Sequence, residues 1–259
     1  MIYSEAGGVT KTTTAVSLAM TAAVEGMDVI LIDLDPRAAA THWIGAAPAE
    51  EWQTVDAIIA DEAPEGWVED LAIPTGWNEK LRIVPSGRQL SSREKNVEDQ
   101  AEIRLSMAIQ GASADLVVID CPNRQGGVLT QNALAASDGV IYAARANQDG
   151  IDGVNGARES VHRFLKSRRW IGGDDTLAEL GIVVGDTPDT IMTRVASATL
   201  NQFDEMDIPV LGTIPRRTVV DQARMTEEWY GNFQKGLVVA ESYKKVFEQV
   251  KSSLPEKSA

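Results

Sequence analysis

The sequence predicts a doubly wound α/β fold, with a mostly parallel sheet and helices on both of its faces. Short apolar runs without alternation, at residues 29–32 and 116–119, are typical of strands that are buried on both sides. Between such runs lie segments with apolar residues at helical spacing, the first of them at residues 12–25. A glycine-containing loop joins a very short first strand to this helix. Alternating strands and helices indicate a parallel sheet.

Further elements continue this alternation along the chain. Gly26 ends the first helix, as glycine commonly does. Residues 44–80 contain several tryptophans and prolines, and we assign no chemistry to them. The remaining predicted strands are residues 81–85, 139–144, 180–184 and 208–214, and the remaining predicted helices are residues 55–60, 97–112, 151–166 and 236–253.

Length and composition predict a single domain spanning residues 1–259. With 44% hydrophobic residues the chain can bury a full core, and no linker-like stretch divides it. There is no secretory leader and no apolar run near 18 residues, so secretion and membrane spanning are not expected. The only cysteine, Cys121, cannot form an internal disulfide, which fits a reducing cytoplasm.

The charge of the chain limits how it can contact nucleic acid. The formal net charge is −14, whereas proteins that bind nucleic acid over their whole surface carry a basic excess. The charge is uneven: residues 50–79 hold nine acids and no base, and residues 158–169 hold five Lys or Arg and one acid. Any DNA contact is therefore expected to be local.

Residues 5–13, Glu-Ala-Gly-Gly-Val-Thr-Lys-Thr-Thr, predict a phosphate-binding loop between the first strand and the first helix. Gly7 and Gly8 let backbone N–H groups approach phosphate oxygens, and the start of the helix favours anions. Lys11 can reach the β- and γ-phosphates, and the Thr12 hydroxyl can ligate Mg²⁺. This predicts a nucleoside-triphosphate site.

Two positions depart from the plain loop pattern, which has glycine at both. Glu5 places a carboxylate near a polyanion. Thr10 is β-branched, so it resists a positive φ and adds bulk beside the phosphates. An ordinary strand-to-helix turn also explains residues 7–12, and other motifs must decide between the two interpretations.

Carboxylates follow two of the predicted buried strands. Asp33 and Asp35 end the run at residues 29–32, and Asp120 ends the run at residues 116–119. The carboxyl ends of parallel strands line the crevice where such folds bind ligands. Asp35 can therefore orient a water or the Mg²⁺ shell, and Asp120 can join that shell opposite Lys11. Alternatively, Asp33 and Asp35 only cap the turn that follows them.

Five motifs occur along the chain: Gly7-Gly8-Val9 with Lys11-Thr12-Thr13, Asp33-Leu34-Asp35-Pro36, Val118-Ile119-Asp120-Cys121-Pro122, Asn132-Ala133-Leu134 and Ile214-Pro215-Arg216. In order and spacing they resemble the ParA partition ATPases over nearly the whole chain. The resemblance implies an ATP- and Mg²⁺-dependent homodimer in the cytoplasm, associated with the nucleoid, that binds DNA nonspecifically and is stimulated to hydrolyse ATP by a centromere-binding, ParB-like partner.

The same resemblance implies roles for individual residues. Val9 and Thr10 belong to the nucleotide-binding loop together with the two glycines. Lys11 lies on the phosphates, Thr12 on Mg²⁺ and Thr13 near the α-phosphate. Further roles are implied at the other strand ends: Asp35 on the attacking water, Asp120 in the outer metal shell, and Pro215 and Arg216 near the adenine.

One departure from the family concerns a cation. The first lysine of the family's loop, which reaches the partner's phosphates in the dimer, is Ala6 here. A cation of this kind contributes about 10³–10⁵ in rate in related enzymes, so ATP binding is better supported than hydrolysis. Arg124 and Arg37 follow strand ends and are candidates to replace it. We expect Arg124 to be the catalytic substitute, with Arg37 as the runner-up.

For DNA, the chain is expected to use basic patches, since it starts at the first strand and no helix-turn-helix precedes it. The alternative is a solvated basic surface. The candidate DNA-binding residues are Arg163, Lys166, Arg168, Arg169, Arg194, Arg216, Arg217 and Arg224.

Two other functional classes stay open. A MinD-like positioning ATPase would bind membrane through the last helix, whose apolar stripe includes Tyr243 and Phe247; such a stripe also suits packing on the sheet. A metabolic ligase on the same scaffold would show a small-molecule pocket beside Asp35.

Overall fold

The computed structural model describes residues 1–48, 50–95, 98–173, 176–188 and 194–253. These residues form a central sheet in the order β3-β4-β2-β5-β1-β6-β7-β8, in which only the pair β3 and β4 is antiparallel. The predicted doubly wound, mostly parallel sheet is thus confirmed. The strands are β1 (Ile2–Tyr3), β2 (Val29–Asp33), β3 (Ile73–Pro74), β4 (Leu81–Val84), β5 (Leu116–Asp120), β6 (Gly139–Arg145), β7 (Ala178–Thr187) and β8 (Val210–Pro215).

Helices connect the strands and cover both faces of the sheet. Two short 3-10 helices, at Arg88–Lys95 and Tyr230–Asn232, supplement them. Within the described residues the α-helices are α1 (Lys11–Val24), α2 (Ala39–Ile44), α3 (Val55–Ala60), α4 (Trp67–Leu71), α5 (Arg104–Ile109), α6 (Val128–Ala135), α7 (Gln148–Trp170), α8 (Arg194–Asp204), α9 (Thr218–Met225) and α10 (Leu237–Ser253).

The sheet divides the apolar core into two layers. In β2, Ile30 and Ile32 point into the layer covered by α3 to α8, whereas Val29 and Leu31 point into the layer covered by α1, α2, α9 and α10. All four side chains are completely buried. A strand that is buried on both faces needs an apolar residue at every position, which explains why the sequence shows a continuous run and no alternation.

The predicted helix at residues 97–112 is wrong in its length. Only Arg104–Ile109 is α-helical, and residue 97 lies outside the described residues. The Asn132 side chain on α6 accepts a hydrogen bond from Leu105 N (2.8 Å) and donates one to Ala101 O (2.7 Å). These two bonds hold the chain in a turn before α5, so a distant side chain overrides the local helical pattern.

The strand order reverses at β1, with β2 to β5 on one side and β6 to β8 on the other. Ligands bind at such a reversal, outside the carboxyl ends of the strands, which we call the carboxyl edge of the sheet. The opposite side is the amino edge. Helix α7 begins at the carboxyl edge, directly after β6, and its 23 residues span about 34 Å toward the amino edge.

Candidate functional site

The loop between β1 and α1 lies at the reversal point and has the backbone of a phosphate cradle. Gly8 has a φ of +67° and Thr10 a φ of +69°, so both adopt the left-handed conformation. Val9 between them is buried and anchors the loop to the core. At Gly7 an added Cβ would lie 2.7 Å from the side-chain amide nitrogen of Asn123, so a larger residue would displace that side chain.

Lys11 is the basic side chain of this loop and is only 7% exposed. Its Nζ donates a hydrogen bond of 2.9 Å to the Ala6 carbonyl, which folds the loop around the ammonium group. Burial lowers the pKa of Lys11, and the nearby Asp120 carboxylate opposes this shift. The lysine is therefore held inside the loop, where a phosphate oxygen can replace the Ala6 carbonyl as its acceptor.

The first departure from the loop pattern, Glu5, does not bring a negative charge into the pocket. Its carboxylate accepts hydrogen bonds from the Ser160 hydroxyl on α7 (2.7 Å) and from the Tyr3 hydroxyl (3.3 Å). The Glu5 backbone also donates to the Gly153 carbonyl on α7 (3.3 Å). Glu5 thus ties the loop to α7, and its charge points away from the phosphate cradle.

The second departure, Thr10, keeps the backbone that glycine would have. Its side chain packs over Gly185 at the end of β7, where an added Cβ would overlap the Thr10 hydroxyl and methyl groups. Gly185 therefore provides the space that the threonine needs. The Thr10 hydroxyl is buried and has no hydrogen-bond partner among the described residues.

The three carboxylates at the neighbouring strand ends have different surroundings. Asp33 is buried, and one of its oxygens accepts hydrogen bonds from Thr41 N and from the Thr41 hydroxyl, both at 2.8 Å. Asp33 therefore accepts an N–H of the first turn of α2, a structural role of the kind that one interpretation of the sequence expected for Asp33 and Asp35. Asp35 lines the open pocket, although it also accepts a hydrogen bond from Arg37 N (2.9 Å).

Asp120 lies beneath the loop, in register with Asp33 on the neighbouring strand. Burial raises the pKa of Asp120 well above its usual range, and the Asp33 carboxylate raises it further. Within the described part of the chain, neither carboxylate oxygen of Asp120 has a hydrogen-bond partner. A buried carboxylate of this kind suits a cation or the water shell of a cation.

The protein oxygens around the loop can form a Mg²⁺ site only together with phosphate oxygens of a bound nucleotide. Among the described residues, no group of three or more His, Cys, Asp or Glu side chains is able to hold a metal ion. Mg²⁺ usually uses one or two protein oxygens and completes its shell with waters and substrate phosphates. The Thr12 hydroxyl and the Asp120 carboxylate are the protein oxygens that match this pattern.

A pocket of about 510 Å³ opens over the loop at the carboxyl edge. Pro215 and Arg216, predicted near the adenine, line it together with Val9, Thr12 and Thr13. Six Lys or Arg residues and three Asp residues line this pocket, in a chain with a net charge of −14. The six cations are Lys11, Arg37, Arg145, Arg216, Arg217 and Arg224.

Aromatic residues support one wall of the pocket and give the tryptophan-containing segment a structural role. Trp43 lines the pocket, and the Trp77 ring packs edge-on against it with a centroid distance of 6.0 Å. The indole nitrogens of Trp43 and Trp77 donate to the carbonyls of Glu228 (3.1 Å) and Glu227 (2.9 Å). Trp77 of the tryptophan-containing segment therefore supports the wall that carries Trp43.

The arginine that the sequence favoured as a substitute cation lies outside the pocket. The Arg124 guanidinium forms an ion pair of 3.0 Å with Glu94, and Arg124 is not among the lining residues. Arg37, the runner-up, does line the pocket. Sequence reasoning missed Arg145, which directly follows the predicted strand at residues 139–144. A charged residue at a strand's carboxyl end is the signal that identified Asp35, and it would have identified Arg145.

The candidate DNA-binding residues lie in three places. Arg216, Arg217 and Arg224 line the nucleotide pocket at the carboxyl edge, and Arg194 begins α8. The others lie on the last turns of α7, toward the amino edge, where Arg168 packs 5.6 Å from the Phe164 ring centroid. The eight residues therefore do not form one continuous patch.

Two further features bear on the alternative functions. The apolar stripe of α10, including Tyr243 and Phe247, is buried against α1 and β8 and is not presented to a membrane. In the described ranges no helix is long and apolar enough to cross a membrane. A separate cleft lies beside Asp35, lined by Pro36, Arg37, Ala38, His42, Ser86, Gly87, Arg88 and Ser91.

A phosphate cradle at the reversal point of a parallel sheet, with a buried lysine and strand-end carboxylates around it, defines a P-loop nucleotide-binding protein. Comparison with known proteins identifies the group within this class. A family model described as an AAA domain matches residues 1–170. The chain belongs to the ParA family of P-loop ATPases.

Individual relatives agree with this assignment. The chromosome partitioning protein ParA of Myxococcus xanthus is 32% identical over 219 residues, which cover 83% of this chain and 74% of that protein. The sporulation initiation inhibitor protein Soj of Bacillus subtilis is 35% identical over 169 residues. That match covers 64% of this chain and 65% of Soj, just under two thirds of its length.

A solved structure shows the same fold over the whole chain. An ATP complex of McdA from Cyanothece has a TM-score of 0.82 with 18% sequence identity, and the match covers 100% of this chain and 97% of McdA. At this identity the likeness concerns the fold, and the roles of individual residues rest on the contacts described above.

Proposed function

We propose that the protein is an ATPase that segregates plasmid, phage or chromosomal DNA. In this proposal it binds ATP with Mg²⁺, forms a homodimer in the ATP-bound state, and then binds DNA without sequence preference. A centromere-binding, ParB-like partner stimulates hydrolysis, and the protein acts in the cytoplasm on the nucleoid. The observation that carries the proposal is the basic pocket over the loop, in a chain related to ParA and Soj.

Different groups of the loop contact different parts of the triphosphate in this proposal. The backbone amides of Gly8 to Thr13 and the start of α1 face the phosphates, and Lys11 exchanges the Ala6 carbonyl for phosphate oxygens. Mg²⁺, when bound with ATP, neutralises phosphate charge. The Thr12 hydroxyl would hold it, with Asp120 behind. Pro215 and Arg216 border the part of the pocket assigned to the adenine.

Asp35 is the residue proposed to orient the attacking water. It lies in the pocket wall, and its backbone carbonyl accepts a hydrogen bond of 2.8 Å from the Ser86 hydroxyl on the loop after β4. This bond fixes the loop that carries the carboxylate. A carboxylate in this position can accept a hydrogen bond from water and align it for in-line attack on the γ-phosphate.

DNA binding is assigned to the basic end of α7. Arg163, Lys166 and Arg169 are exposed there and Arg168 is half-buried, all within the last turns of one helix. Arginine and lysine side chains spaced along a helix can contact successive phosphates of a duplex without reading its bases. ATP-dependent dimerisation would place two such helices on one DNA segment and raise the effective affinity.

Nucleotide-dependent DNA binding tests the proposal. We expect two unrelated duplexes of equal length to bind equally well in the presence of Mg²⁺ and ATP, and poorly with ADP or without nucleotide. Joint replacement Arg168→Glu and Arg169→Glu should weaken binding about tenfold and reduce its salt dependence, because phosphate contacts are lost. Fluorescence anisotropy at several salt concentrations measures both effects.

A matched control removes two neighbouring cations elsewhere on the surface. Lys244 and Lys245 are exposed on α10, and the joint change Lys244→Glu and Lys245→Glu makes the same change in net charge. The control should bind DNA nearly like the parent. Equal DNA binding with and without ATP would contradict the ATP-switched dimer, and equal weakening by both pairs would show that only net charge matters.

One observation favours a second candidate, a metabolic ligase on the same scaffold. The cleft beside Asp35 is lined by Arg37, Arg88 and His42 and by no acidic residue, which suits a small carboxylate or phosphate substrate. ATP binding with no DNA binding under any nucleotide condition would favour this candidate.

A further inference from the structure

Arg145 is a basic side chain that ends β6 inside the nucleotide pocket. A Cβ placed on Gly8 of the phosphate loop would lie 4.0 Å from Nη1 of Arg145, so the guanidinium borders the cradle itself. The backbone of Arg145 is in register with Gly185 on β7, the residue that accommodates Thr10. A tight fit between Gly150 of α7 and the Arg145 carbonyl fixes its position further.

The present partner of Arg145 is Asp186, whose carboxylate forms a short ion pair with Nη2. The two side chains are 45% and 30% exposed, and ion pairs at such exposure contribute little to stability. Asp186 has a φ of +54°, a conformation that aspartate and asparagine tolerate better than most residues. Asp186 therefore sits in the pocket wall as a weakly held counter-ion.

Within residues 5–13 Lys11 is the one basic side chain, so any further cation beside the cradle must come from another element. Ala6 provides no cation, and Arg124 is paired with Glu94 outside the pocket. Arg145 projects from a rigid strand end, beside the cradle, and its planar fork can donate two hydrogen bonds to phosphate oxygens. Bound phosphate is a stronger acceptor for this fork than the partly solvated Asp186.

We propose that Arg145 is a phosphate-binding residue of the nucleotide site and that Asp186 is its counter-ion in the absence of nucleotide. On binding, the guanidinium exchanges the Asp186 carboxylate for phosphate oxygens of the same subunit's nucleotide. The inference rests on the proposed function only in requiring that a nucleoside triphosphate binds at the loop. It places at the end of β6 a phosphate-binding cation in addition to Lys11 of the loop.

Opposite effects of two charge-removing variants test the exchange. Arg145→Gln should weaken Mg²⁺–ATP binding about tenfold or more, because a charged donor to the phosphates is lost and Asp186 stays uncompensated. Asp186→Asn suits the left-handed backbone and removes only the competing charge, so it should strengthen binding about two- to fivefold. Arg145→Lys, which keeps the charge without the fork, should fall between the parent and Arg145→Gln.

Isothermal titration calorimetry on the full chain gives these affinities, and circular dichroism confirms that each variant folds. Arg82→Gln is the matched control. Arg82 lies on β4, outside the pocket lining, and its guanidinium forms an ion pair of 2.6 Å with Glu69. It should bind ATP like the parent. The double variant Arg145→Gln with Asp186→Asn should bind better than Arg145→Gln alone, since the uncompensated carboxylate is gone.

The inference fails if Arg145→Gln binds ATP like the parent, or if Asp186→Asn weakens binding as much as Arg145→Gln does. The second result is what a purely structural ion pair would give. Lys11→Ala separates this failure from failure of the proposed function. Loss of ATP binding in Lys11→Ala with no effect of Arg145→Gln would overturn the inference alone, whereas unchanged binding in Lys11→Ala would overturn the nucleotide site.

Discussion

Basic side chains gather at two places in this molecule, the carboxyl edge of the sheet and the last turns of α7. At the carboxyl edge they come from several strand ends and loops, and they converge on one concave pocket of about 510 Å³. On α7 they come from consecutive turns of one helix, where Arg163, Lys166 and Arg169 are exposed. Residue type is the same in both places. What differs is that several chain segments converge at the first place, whereas one helix spreads the charges along its length at the second.

This difference indicates which charges recognise a small anion and which contact an extended one. A pocket brings several cations within reach of one triphosphate, so each cation there has a large effect. Cations spread along a helix each meet a different phosphate of a long polymer through solvent, so their individual effects are small and depend on salt. The following substitutions test this contrast, beginning with the largest expected effect.

Lys11→Ala should have the largest effect, because it removes the most buried cation of the pocket. We expect the affinity for Mg²⁺–ATP to fall on the order of 100-fold or more, as measured by calorimetry. Lys80→Ala serves as the control. Lys80 is a half-exposed lysine at the amino edge, 3.0 Å from Asp28, and its loss should leave the affinity unchanged. If Lys11→Ala binds ATP with the affinity of the parent protein, the contrast between the cations of the pocket and those of α7 has no basis.

Gly185→Ala should have the next largest effect, and it tests the packing under the loop. The added Cβ overlaps the Thr10 side chain, and overpacking of this kind costs about 1–3 kcal/mol in the free energy of unfolding. The affinity for ATP should fall as the loop is displaced. Denaturant unfolding and calorimetry measure the two effects.

The second-site change Thr10→Gly should rescue Gly185→Ala, because glycine removes the overlap and suits a φ of +69°. By itself Thr10→Gly should bind ATP at least as well as the parent. If it does not rescue Gly185→Ala, the two residues are not coupled through this contact.

Arg124→Ala should have the smallest effect on nucleotide binding. The Arg124 guanidinium is half exposed and pairs with Glu94, so its removal should change the affinity for ATP by less than about twofold. The role expected from the sequence, a cation that reaches the partner subunit, is a separate prediction. Impaired ATP-dependent dimerisation in Arg124→Ala at saturating ATP would support that role, and normal dimerisation would contradict it.

The fold followed from the sequence because its signals are local. Continuous apolar runs predicted β2, β5 and β6, and apolar spacing with a terminal glycine predicted α1. These patterns depend on neighbouring residues, and burial on both faces of a parallel sheet leaves few other choices. Where a distant side chain intervened, the prediction failed: Asn132 sets the start of α5, and the helix is shorter than its periodicity indicated.

For the site, the sequence by itself determined the loop, its lysine and the strand ends where carboxylates would stand. Only the tertiary structure decided what the departures from the pattern do. Glu5 does not place its carboxylate in the pocket, because the Ser160 hydroxyl, 155 residues away, holds it by a hydrogen bond. Thr10 fits because Gly185 leaves space for its side chain. The place of Arg145 beside Gly8 also depends on the pairing of β6 with β1. Contacts between residues so far apart have no local signature, because they form only when the complete sheet brings the strand ends together.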